Sequence, residues 1–130
     1  MSVRLILDTS ALVAYVAADL RAVAIGELIA SVEENGDTTG IPALCLVEAY
    51  KQVSSSEQGK LLELVSDDDG PATILPLLAA DVAKVAHLAL RLPQDRAQAV
   101  AERHKHDATL GTYQAKAYVT ALDDYDILAL

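Results

Sequence analysis

Apolar positions along the chain alternate between short branched runs and stretches with a three-to-four-residue repeat, and this alternation predicts strands separated by helices. Residues 3–7, VRLIL, stop at Asp8 and read as a parallel strand buried on both faces. Thr9 and Ser10 offer hydroxyl caps for a short helix over ALVAYVAADL. Ala22, Ile25, Leu28, Ile29 and Val32 then predict a helix over about 21–34, stopped by Asn35 and Gly36. Residues 38–41 form a second strand, and Pro42 opens a helix, ALCLVEAYKQV, with Glu48 in its middle. Ser54 to Ser56 with Glu57 signal a further helix through Val65, and residues 67–71 form an acidic, solvated turn.

ATILPLL, residues 72–78, predicts a third strand. Val82, Val85, Ala86 and Ala89 predict a helix broken at Pro93. Ala97, Val100, Ala101 and His104 predict another, with Asp95 as its N-cap. Asp107 marks the turn into a fourth strand at 108–112; Ala115, Tyr118, Val119 and Leu122 show helical spacing; residues 126–130, DILAL, give a fifth strand. Parallel strands need crossovers, and these are helical. The fold class is therefore α/β: a three-layer α/β/α sandwich around a mostly parallel five-stranded sheet, forming a single domain over residues 1–130.

Composition narrows this picture. The chain is 52% hydrophobic but has no Phe or Trp, so its core is built from Ala, Leu, Val and Ile. A net charge of -9 disfavours nucleic-acid binding through basic patches alone, but divalent cations can bridge carboxylates to phosphates. Cys45 is the single cysteine, which excludes an intrachain disulfide and fits a reducing, cytoplasmic setting. Neither an export signal nor 18 unbroken apolar residues is found, so no membrane span is expected. Cys45 itself reads as a small core residue, and His87, His104 and His106 as structural or solvated; two residues apart on a helix, the last two point to different faces. Gly59-Lys60 lacks the upstream glycine of a phosphate loop.

Ligands of open α/β sheets collect at the carboxyl ends of the strands. Asp8 stands directly after the first strand, and Asp95 is expected at the same end of the sheet. Glu48 is the only charge among Leu44, Cys45, Leu46, Val47 and Ala49, and an ionised carboxylate on an apolar segment is costly unless a partner offsets it. Each acid also has an ordinary reading: Asp8 and Asp95 as helix caps, Glu48 as a solvent-facing partner of Lys51.

The segments LILDTSALVAY, IPALCLVEAYKQ and LPQDRAQAVAERHKHDATLGT, in this order and spacing, resemble the PIN domain family, in particular the VapC-like toxins of bacterial toxin-antitoxin pairs. The resemblance implies a Mg²⁺- or Mn²⁺-dependent endoribonuclease cleaving single-stranded RNA, a homodimer, and a cognate antitoxin as partner. It places Asp8, Glu48 and Asp95 as the metal-holding catalytic acids, with Ser10, Thr112 and Gln114 in support. Hard divalent ions choose such carboxylate oxygens. A water activated by the ion is the nucleophile of this chemistry, and a Ser10 hydroxyl would orient a ligand carboxylate. Without gaps, Arg96 falls at the third acid, and a one-residue shift brings in Asp95; Asp107 instead fits a turn. Gln114 stands where the family carries a fourth acid, which motivates a second reading: a PIN-like domain with weak or lost catalysis that acts as a binding protein. A third reading, another phosphoryl-transfer enzyme using the Asp after the first strand, meets Ser10 where a phosphatase carries its second Asp.

Overall fold

In the computed structural model, residues 2–66 and 70–130 are described; of the acidic turn expected at 67–71, residues 67–69 lie outside them. The strands are β1 (Val3–Leu7), β2 (Thr38–Pro42), β3 (Ala72–Leu75), β4 (Thr109–Thr112) and β5 (Ile127–Ala129). The helices are α1 (Thr9–Val16), α2 (Leu20–Glu34), α3 (Ala43–Gln52), α4 (Ser55–Val65), α5 (Val82–Leu88) and α6 (Gln94–His106).

All strand pairs are parallel, in the order β3-β2-β1-β4-β5. The chain steps outward from β1 to β2 to β3, then crosses back over β1 to β4. Because such crossovers are right-handed, the two directions of travel place their helices on opposite faces of the sheet. The expected three-layer α/β/α sandwich results, with α2 against β2, α4 against β3, and α6 against β1, β2 and β4. The direction of travel changes between β1 and β4, which opens a crevice at their carboxyl ends.

Local chemistry explains where the elements depart from the pattern. The cap of α1 is Asp8, not Thr9 or Ser10: its carboxylate accepts the Ala11 N–H, and both hydroxyl residues lie inside the helix. That helix stops at Val16, before the expected Leu20, because Asp19 caps α2 by accepting the Arg21 N–H. Pro42 is still the last residue of β2, and α3 begins after it. The predicted capping box of α4 is present, with Ser54 and Glu57 each accepting the other's backbone N–H. β3 ends at Leu75 because Pro76 has no N–H to add to a ladder.

Two further departures from the sequence pattern lie in the second half of the chain. Asp95 does not cap α6; Pro93 precedes the helix and Asp95 is its second residue, in the first turn. The helix expected around 115–122 is reduced to a 3₁₀ turn over Ala115–Tyr118 that drops the Tyr118 side chain into the core. Asp107 closes α6 in the left-handed region, φ 50°, which Asp tolerates better than most residues.

β1 is buried on both faces except at Arg4, where a register shift against β2 lets the side chain reach solvent near Asp37. The core is aliphatic: Ile6, Leu7, Leu12, Ile25, Ile41, Leu61 and Leu110 are buried, with Tyr118 the largest enclosed side chain. Gly40 keeps β2 close to its neighbours, since a Cβ there would lie 2.5 Å from Leu75 Cδ1 and 2.9 Å from Val3 Cγ1. Among the described residues, no helix is long and apolar enough to cross a membrane.

Candidate functional site

Asp8 directly follows β1 at the crevice between β1 and β4, and the register Leu7↔Gly111 brings Thr112 beside it. Its carboxylate is buried, 2% exposed, and receives four hydrogen bonds. Oδ1 accepts from Ser10 Oγ at 2.6 Å and from the Ala11 N–H at 3.1 Å. Oδ2 accepts from Thr112 Oγ1 at 2.6 Å and from the Tyr118 hydroxyl at 2.8 Å. A carboxylate offers about four lone-pair positions, so the protein itself fills them.

The hydroxyls are oriented from behind. Ser10 Oγ accepts the Tyr113 N–H at 3.0 Å, and Thr112 Oγ1 accepts the Gln114 N–H at 2.9 Å, which leaves both hydroxyl protons directed at Asp8. Burial, followed by the Asp8 charge and the hydrogen bond to it, pushes the Tyr118 phenol far above its ordinary range, so it remains a donor. Arg96 lines the same compartment as Asp8.

Asp95 reaches the crevice from the first turn of α6. Its Oδ2 accepts from Thr9 Oγ1 at 2.6 Å, so adjacent residues of α1 each hold one acid: Thr9 holds Asp95 and Ser10 holds Asp8. Asp95 Oδ1 receives no hydrogen bond from the described residues. The buried Cys45 packs beside Asp95, its Sγ donating to the Asp95 carbonyl at 3.2 Å. Burial, then the charges of Asp8 and Asp95, push its thiol well above the ordinary value, so it is an inert core thiol.

Glu48 is held differently. Its side chain is 39% exposed, and its oxygens lie 3.3 Å from Lys51 Nζ and 3.5 Å from Gln52 Nε2. The cost of burying a lone carboxylate on an apolar helix therefore does not arise. Gln114 makes no side-chain hydrogen bond to either aspartate among the described residues; its Oε1 accepts a hydrogen bond from Arg96 Nη2.

Two adjoining compartments collect these groups. One, of ≈ 280 Å³, is lined by Asp8, Thr9, Ser10, Val13, Arg21, Gln52, Asp95, Arg96, Tyr113 and Gln114. The other, of ≈ 470 Å³, holds Glu48 with Lys51, and shares Gln52, Asp95 and Arg96 with the first. Among the described residues, no three His, Cys, Asp or Glu side chains are grouped tightly enough to hold an ion together. Sequence reasoning missed Tyr118, whose helical spacing read as a core position, and Gln98. Fully buried on α6, Gln98 accepts the Leu44 N–H and donates to the Leu75 carbonyl, pinning α6 to the start of α3 and the end of β3. Neither a protein-family model nor a curated protein matches the chain.

Proposed function

We propose that the chain is a Mg²⁺- or Mn²⁺-dependent endoribonuclease of the PIN type, cleaving single-stranded RNA as the toxin of a toxin-antitoxin pair. One observation carries the reading: Thr9 and Ser10 bring Asp95 and Asp8, 87 residues apart in sequence, to one crevice at the carboxyl end of the sheet, with Glu48 lining the adjoining compartment. The donor set suits a hard cation that keeps several waters and needs only one or two carboxylates. Asp95, with Oδ1 free of donors among the described residues, and Glu48, half exposed, would hold it; Asp8 would join only by losing one of its four donors. Such an ion supplies an activated water and neutralises charge developing on the phosphate.

The chain's own contribution is positioning. The buried Asp8 network locks the β1 and β4 ends together, Thr9 fixes the orientation of Asp95, and Arg96 offers a guanidinium to phosphate oxygens. A homodimer and a cognate antitoxin belong to the same reading.

The test is a cleavage time course on mixed single-stranded RNA with Mg²⁺ or Mn²⁺. Cleavage is expected to vanish in EDTA and to fall at least about 100-fold in Glu48→Gln and Asp95→Asn, with unchanged circular dichroism. Cleavage that persists in EDTA, or is undiminished in both variants, overturns it. The Arg96–Gln114 pair favours a second reading, because the two residues stand where the resemblance calls for acids and put a tethered cation there. On that reading the domain binds its partner without cleaving it, and a folded protein that retains RNA but never cuts it would establish this.

A further inference from the structure

The crevice carries a feature that metal-assisted hydrolysis does not need. Tyr113 follows β4 directly, half-buried, with its N–H fixed on Ser10 Oγ at 3.0 Å. The Arg21 guanidinium carbon lies 5.9 Å from the centroid of that ring. Arg21 is itself pinned, its Nη2 2.8 Å from Asp19 Oδ2, and Asp19 is the cap of α2. Across the same ≈ 280 Å³ compartment lies Arg96, tied to Gln114. On a chain of net charge -9, one compartment thus combines an aromatic ring with two guanidinium groups.

These are the groups that take a splayed single-stranded nucleotide: bases stack on aromatic rings and on arginine planes, while a guanidinium pairs with phosphate. A compartment this small has no room for a duplex. Duplex RNA is also read mostly by phosphate and 2′-hydroxyl contacts over many base pairs, for which an acidic surface is unsuited. We propose that Tyr113, backed by Arg21, and Arg96 form a subsite for one nucleotide of single-stranded RNA, with its base on the Tyr113 ring and its phosphate on Arg96. This rests on the ribonuclease reading for its substrate class, but it needs no bound ion. Tyr113 and Arg96 bind the nucleotide directly and take no part in bond cleavage.

The test is an anisotropy titration of a labelled single-stranded oligoribonucleotide in EDTA, where metal-assisted hydrolysis is off, beside a cleavage assay in Mg²⁺. Tyr113→Ala is expected to weaken binding about tenfold, while Tyr113→Phe and Tyr113→Trp, which keep a stacking face, bind within about twofold of the native protein. Arg96→Gln is expected to weaken binding and to reduce the slope of log affinity against log salt by about 0.7, the loss of one phosphate contact on a single strand. Replacing one nucleotide at a time by an abasic residue locates the stacked base, and the Tyr113→Ala protein should be indifferent to that replacement. Native protein that cleaves in Mg²⁺ but binds nothing in EDTA, or a Tyr113→Ala protein that binds as the native one does, overturns the subsite and leaves the nuclease reading standing. Failure to bind and to cleave overturns both; binding without cleavage, lost in Tyr113→Ala, supports the subsite and favours a domain that does not cut.

Discussion

Asp8 and Glu48 line neighbouring compartments of one crevice, but the fold treats them oppositely. Asp8 is 2% exposed and held by four donors from β4, α1 and the 3₁₀ turn. Glu48 is 39% exposed at its side chain and, among the described residues, its carboxylate pairs only with Lys51 and Gln52 of its own helix. An enclosed carboxylate with its lone pairs filled is a structural anion that fixes the shape of the crevice. An exposed one with loosely placed partners costs little to redirect, so it is free to meet a cation or substrate. Carboxylates that a sequence motif ranks alike are therefore held in opposite ways by the fold, one enclosed and saturated and the other accessible.

The sharpest way to break this contrast is to remove each carboxylate and measure stability. Asp8→Ala deletes the α1 cap and leaves buried donors from Thr112 and Tyr118 without an acceptor. It is expected to cost about 3–5 kcal/mol in urea unfolding, the scale for removing one member of a buried charged network. Glu48→Ala is expected to stay within about 0.5 kcal/mol of the native protein, as exposed pairs do. Equal losses would mean that Glu48 is structural too.

A smaller effect separates the two roles within the Asp8 network. Tyr118→Phe removes one donor to Asp8 Oδ2 and nothing else of size. It is expected to destabilise by about 1–1.5 kcal/mol. It also leaves Asp8 Oδ2 with one donor in place of two, which makes the carboxylate easier to redirect, so Mn²⁺ followed by titration calorimetry should bind more tightly to Tyr118→Phe than to the native chain. Unchanged or weaker Mn²⁺ binding would show that the hydroxyl does not restrain Asp8 from taking up an ion.

The same contrast explains what was legible in the sequence. Strand identity and order of elements follow from local pattern: VRLIL before Asp8, the Ser54–Glu57 box and the Pro93 break all act within a few residues. Asp8 stood out because it follows the first strand, yet its saturation did not, since three of its donors, from Ser10, Thr112 and Tyr118, are side chains brought in across sequence separations of up to 110 residues. Tyr118 looked like one apolar position in a helical repeat because periodicity reports a face and not the hydrogen bond at its tip. Gln98 was invisible for a related reason: a polar residue amid Ala97, Ala99 and Val100 reads as a flaw in the stripe until the backbone groups of α3 and β3 come within its reach. The Asp95 cap misplaced by two residues reflects Pro93, which can precede a helix as well as end one.

A third carboxylate tests whether burial or donor number makes an anion welcome. Glu102 on α6 is 3% exposed, more enclosed than Glu48, but among the described residues its one side-chain partner is His106, 3.2 Å away. Burial pushes its carboxyl above the ordinary value of 4.5, against the opposing pull of Lys105 and His106. Its raised value means that folding disfavours the ionised form. The cost is therefore present at neutral pH, shrinks as pH falls through the folded-state value, and is gone below 4.5, where the side chain is protonated in both states. Glu102→Gln, which keeps the shape and removes the charge, is expected to stabilise the protein by on the order of 0.5 kcal/mol at pH 7. The advantage should shrink when the unfolding curves are repeated near pH 4. If Glu102→Gln instead destabilises at pH 7, one histidine partner suffices for a buried acid, and the four donors around Asp8 are more than its burial requires.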